Sequence, residues 1–95
     1  MTYARKIVLQ LPVSRPQAIG PFVEQCLRDG VSLIAVVGEN AKDVEDQIDA
    51  LVVGDGSDSS RFVVTTAHQG EAVEDVLEFA SHFGTDADKV QLVRI

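Results

Sequence analysis

The side chains of this sequence that could do chemistry are two histidines, one cysteine and a scatter of hydroxyls and carboxylates. His68, in the segment Thr65-Thr66-Ala67-His68-Gln69-Gly70, is the best single candidate, because an imidazole titrates near neutral pH and can act as general acid or base. Ser14 and Arg15, in Pro12-Val13-Ser14-Arg15-Pro16, add a hydroxyl and a fixed cation, the equipment for holding an anion. Ser14, Arg15, Thr66 and His68 are therefore the candidate ligand-binding set, with His68 a proton carrier if a partner stands within hydrogen-bond reach.

Each of these residues also has a plain structural use. Ser14 and Gln17 have the S-x-x-Q spacing of a capping box, which makes Ser14 a helix cap rather than a nucleophile. Thr65 and Thr66 are ordinary strand-end residues of good β propensity. His82 falls in the last turn of a helix, where a partial positive charge suits the dipole. Cys26 falls on an apolar helix face and reads as a small core residue. Being the only cysteine, it excludes an internal disulfide or a cysteine zinc cage within the chain, and a free thiol fits a reducing, cytoplasmic setting.

These residues hang on a regular alternation of elements. Four apolar runs, Lys6–Leu11, Val31–Val37, Arg61–Ala67 and Lys89–Ile95, are rich in β-branched residues and bounded by Gly, Pro, Asp or Ser. Their nearly continuous apolarity is that of strands covered on both faces, as in a parallel sheet. Between them lie segments of helical period. The first has Ile19, Phe22, Val23, Cys26 and Leu27 on one face and Gly30 placed for a left-handed cap. The second has Ala41, Val44, Ile48, Leu51 and Val52 inward, with Asn40 as N-cap. The third has Val73, Val76, Leu77, Ala80 and Phe83 inward. The order β-α-β-α-β-α-β predicts one three-layer α/β/α sandwich around a four-stranded parallel sheet, within a single domain spanning 1–95. The favoured strand order is the flavodoxin-like 2-1-3-4, with the Rossmann-like 3-2-1-4 as alternative. In the first order, the loops after the first and third strands face each other, so that Ser14, Arg15, Thr66 and His68 converge.

Charge separates function classes. Eight Lys and Arg against fifteen Asp and Glu leave a net charge of −7, which argues against nucleic acid or an anionic membrane as partner and leaves room for a basic protein. No stretch approaches the ~18 apolar residues of a membrane span. Only Lys42 is basic among the acidic second and third helices. If both pack on one face of the sheet, Asp46, Asp49, Glu74 and Asp75 form one patch for a basic partner. Arg5, Lys6, Arg61 and Lys89 stand at the amino ends of strands, where they would meet the negative ends of helix dipoles. A second strand exposed at the sheet edge, as in the 2-1-3-4 order, would also invite a homodimer.

Known sites are missing. The acidic residues of a receiver domain are absent from the ends of the first and third strands, and neither G-x-G-x-x-G nor G-x-x-x-x-G-K-[ST] occurs. Gly54–Ser60 resembles the start of a calcium loop, but from Asp55 its sixth residue is Ser60 and its twelfth Thr66, where an EF-hand needs Gly and Glu. No cofactor or metal is expected. Over its length the chain resembles small standalone bacterial α/β proteins of uncharacterised, unknown-function families, on the element order and on the segments LPVSRP and TTAHQGE. That resemblance implies no catalytic residues. The expectation is a small acidic interaction module rather than an enzyme, with the anion or small-ligand site as alternative.

Overall fold

The computed structural model describes residues 2–58, 60–84 and 89–95. Its elements are β1 (Lys6–Gln10), a 3₁₀ turn (Pro16–Ala18), α1 (Ile19–Asp29), β2 (Leu33–Val37), α2 (Ala41–Val53), β3 (Val64–His68), α3 (Val73–Ser81) and β4 (Val90–Val93). All the strand pairings are parallel, and α/β alternation is as the periodicities predict. The strand order is β3-β2-β1-β4, the Rossmann-like alternative, not the 2-1-3-4 order. The reason is burial: every residue of β2, LIAVV, is buried, and so long an apolar strand is stable only with a neighbour on each side and a layer on each face.

Alternation along the strands assigns residues to the two faces. Ile7, Leu9, Ile34 and Val36 point into a core closed by Ile19, Phe22, Val23 and Cys26 of α1 and by Val44, Ile48 and Val52 of α2. Val8, Leu33, Ala35 and Val37 point the other way, onto Val76 and Ala80 of α3. Two helices thus cover one face and one helix the other. The single helix lies over β1, β2 and β4 rather than over β3.

Local signals hold in part. Gly30 ends α1 in the left-handed conformation, its N–H directed back to Cys26 and Leu27. Leu51, expected inward, is 38% exposed. Asn40 stands at the N-cap of α2, but its backbone is itself left-handed and its side chain makes no capping bond. The capping box of Ser14 and Gln17 does not form: Pro16 opens a 3₁₀ turn, α1 begins only at Ile19, and neither start has a side-chain cap.

Two of the four basic residues at the amino ends of strands, Arg61 and Lys6, meet helix termini. Arg61 donates to the Val52 and Leu51 carbonyls at the end of α2 at 2.9 Å each and grips both carboxylate oxygens of Glu24 on α1 at 3.1 and 2.7 Å. That bidentate bond holds the Glu24 carboxyl below the ordinary glutamate range. Lys6, fully buried, directs Nζ toward the Ser81 carbonyl at the end of α3 at 3.5 Å.

Candidate functional site

In this strand order the direction of winding reverses between β1 and β4, and ligands of open α/β sheets sit beyond the carboxyl ends at such a point. Here that position is bridged. Ser14 N–H donates to the Ile95 carbonyl at 2.9 Å, and Arg94 Nε donates to Gln10 Oε1 at 3.1 Å. Ser14 and Arg15 are exposed. A concavity of about 280 Å³ does open at the carboxyl edge, between the loops after β1 and β2, walled by Leu11, Pro12, Glu39 and Asn40. None of the four candidate ligand residues lines it. Gly38 is needed beside it, with φ +126° and Leu11 Cβ only 3.0 Å from where a side chain would begin.

Thr66 and His68 come together, and they do so without Ser14 and Arg15. The reason is topological: β2 intervenes between β1 and β3, a separation of two strand spacings, roughly 10 Å. Thr66 and His68 alternate onto the α3 face of β3, whereas the β1 loop runs to α1 on the opposite face. His68 Nδ1 stands 2.9 Å from Glu71 Oε2, and Nε2 stands 2.8 Å from Thr66 Oγ1. The ring packs on Phe79 of α3, centroids 4.8 Å apart. A carboxylate only accepts, so in the neutral imidazole Nδ1 carries the proton and Nε2 accepts from the Thr66 hydroxyl.

Hydroxyl, imidazole and carboxylate therefore stand in the order of a proton relay. Sequence reasoning found two of the three. It missed Glu71 as their partner because the Gln69-Gly70 turn, with Gly70 at φ +82°, is what folds the carboxylate back. Relay order alone does not make a nucleophile. The ladder turns the Thr66 N–H toward β2, where it cannot stabilise a developing oxyanion, and Thr66 lines neither the carboxyl-edge concavity nor the larger one at the amino end of β3. What the row does accomplish is to satisfy both nitrogens of a histidine that is only 8% exposed.

The larger concavity, about 360 Å³, lies at the opposite end of β3. Phe62, Val64, Phe83, Leu27 and Val31 supply its apolar lining, and Arg5, Ser32 and Ser60 line it as well. Phe62 is 73% exposed, the most exposed of the large apolar side chains among the described residues. Phe79 is partly exposed and sits 6.4 Å from Phe83, so the aromatic surface continues along α3 toward His68.

The acidic residues do not make one patch. Asp46 and Asp49 lie on α2 and Glu74 and Asp75 on α3, and those helices cover opposite faces of the sheet. Asp46 is also paired with Lys42 at 2.9 Å. Asp55 and Asp58 in the loop before β3 each accept from a serine two residues on, Ser57 and Ser60, and these bonds hold both carboxyls below the usual aspartate value. Ser59 of that loop lies outside the described residues. No group of three or more potential metal ligands occurs among the described residues. Burial pushes the Cys26 thiol up to about 12, the state of a core side chain rather than a nucleophile.

The chain is thus a four-stranded parallel α/β protein whose most chemically loaded strand, β3, is at the sheet edge. Residues 7–95 match DUF7684, described as a domain of unknown function, and the chain belongs to that family. No curated protein and no solved structure matches it. No helix among the described residues is long and apolar enough to cross a membrane.

Proposed function

We propose that this chain is an acidic protein-interaction module and that its contact face is the α3 side of β3. The single observation behind this reading is the exposure of Phe62, at 73%, in an apolar concavity beside an edge strand. Contiguous exposed aromatic surface is characteristic of a docking site, whereas scattered apolar residues are not. The net charge of −7 favours a basic partner and speeds its approach. Of the four acidic candidates, Glu74 and Asp75 adjoin this face, and Asp46 and Asp49 do not. The homodimer expected through an exposed second strand loses its ground, because β2 is flanked by β1 and β3.

A pull-down from the native host at low salt, repeated with charge reversals, tests the reading. The expected result is a basic partner that is lost with Glu74→Lys plus Asp75→Lys and retained with Asp46→Lys plus Asp49→Lys. Recovery of no partner, or of one indifferent to the first pair, overturns it.

A further inference from the structure

Three features of β3 meet in one place. Among the described residues it pairs with β2 alone, which leaves its other edge open. Val64 N–H donates to Ser32 on the β2 side at 3.0 Å, and backbone groups alternate along a strand, so Thr65 and Ala67 turn their N–H and C=O groups outward. Natural edges are blunted by proline, lysine or a bulge, and the sequence of β3, VTTAH, carries neither proline nor lysine. The other edge strand, β4, is flanked by Lys89 and Arg94.

The flank of this edge has a polarity. Asp75, Phe79 and Phe83 recur every four residues, one row along α3 and the segment just past its end. Phe79 meets the His68 ring, which places the row along the α3 side of β3. At the amino end of β3 the surroundings on that side are Phe62, Val64 and Phe83, with Arg5, Ser32 and Ser60 beside them, while toward α2 the Thr65 hydroxyl donates to Glu45 Oε2 at 2.7 Å. At the carboxyl end they are Glu71, half exposed, with Glu74 and Asp75 in the first turn of α3. Along the α3 side, the apolar end and the anionic end are thus separated by the length of one strand.

We infer that the open edge of β3 accepts an extended segment of a protein partner as a fifth strand, with an apolar side chain in the Phe62–Phe83 concavity and basic side chains against Glu71 and Asp75. This deepens the interaction-module reading and rests on it. Main-chain bonds to Thr65 and Ala67 supply affinity, and the two unlike ends supply selectivity. A second copy of this chain is a poorer occupant, because it is acidic and antiparallel pairing about a twofold axis would set each anionic end against the partner's Phe62–Phe83 concavity.

The probes are synthetic nonapeptides of alternating Val and Thr with Phe at one end and a Lys-Arg pair at the other, made in both chain directions. Control peptides carry Glu-Glu in place of Lys-Arg. Binding is read by fluorescence anisotropy and by amide exchange. Thr65→Pro removes an outward N–H, together with the hydroxyl that donates to Glu45, and takes no N–H from the ladder to β2, a place where an edge strand tolerates proline. Phe62→Asp, at a well-exposed position, serves if Thr65→Pro fails to fold. The expected result is that a basic peptide in one direction binds, at least tenfold more weakly to either variant and several-fold more weakly to Asp75→Lys, and slows exchange at Thr65 and Ala67. Equal binding by the acidic controls, undiminished binding to the variants, absence of binding in both directions, or a wild-type dimer abolished by Thr65→Pro overturns the inference. A partner from the pull-down that is sensitive to Glu74→Lys plus Asp75→Lys yet indifferent to Thr65→Pro refutes strand addition while the interaction reading stands.

Discussion

The two faces of the sheet are built from the same kind of strand and end differently. On one, α1 and α2 cover Ile7, Leu9, Ile34 and Val36, and their closing residues Val23, Cys26 and Ile48 have no exposure. On the other, α3 alone covers Val8, Leu33, Ala35 and Val37, and the aromatic residues beside β3 stay in solvent. The difference is one of area. A helix with its side chains is about 10–12 Å across and strands are about 4.8 Å apart, so one helix reaches roughly two to three strands, as α3 does over β1, β2 and β4. Two helices on a four-stranded sheet close a core, and one leaves a remainder. Here the remainder falls on the edge strand that carries Thr66 and His68.

The largest test of that contrast is Ile48→Ala on the closed face. It removes a fully buried side chain of α2 and should cost about 2–5 kcal/mol, read as a lower urea midpoint at unchanged slope. Gly38→Ala comes next, since it forces a residue with a Cβ to φ +126° against Leu11; about 1–3 kcal/mol is expected by the same measurement. Arg61→Ala frees the end of α2 and Glu24 together. Because the Glu24 carboxyl is held below its ordinary range in the folded chain, the bond's contribution is present above that range and fades as pH falls through the lowered value. The gap in urea midpoint between wild type and Arg61→Ala should therefore be larger at neutral pH than in acid. Cys26 gives an effect of the opposite slope, confined to alkaline pH. Its folded value near 12 lies above the ordinary 9.0, so stability declines as pH rises from 9 toward 12, and Cys26→Ala should show a flatter decline. The thiol should resist a thiol reagent in the native protein and react in urea. Phe62→Ser should be the smallest, within about 0.5 kcal/mol, because that side chain is already solvated. A destabilisation as large as that of Ile48→Ala would show the open face to be a closed one.

The element order was readable because the period of the apolar residues changes from strand to helix at each glycine or proline, as at Gly30 and Gly54. Strand order was less legible. Four similar apolar runs carry no pairing code, and the one physical cue, the extreme apolarity of LIAVV, pointed to the interior position it occupies. The helix-terminus role of Arg61 and Lys6 followed from where strands begin in a parallel sheet. The grip of Arg61 on Glu24 did not, since 37 residues separate them in the chain. Thr66 and His68 share a strand face by simple alternation, which made that pair visible. Their supposed convergence with Ser14 and Arg15 depended on the wrong neighbour for β1. Ser14 looked like a cap because S-x-x-Q is a local pattern, and Pro16 altered the local geometry that the pattern assumes.

β3 is tied to its neighbours at both ends. At its amino end the chain is tethered through Arg61 to α1 and α2, and at its carboxyl end through His68 to Glu71 and Phe79. A strand anchored at both ends has already lost its conformational freedom on folding. Its outward backbone groups stand preorganised, so the ordering entropy of forming a further ladder falls on the incoming segment alone.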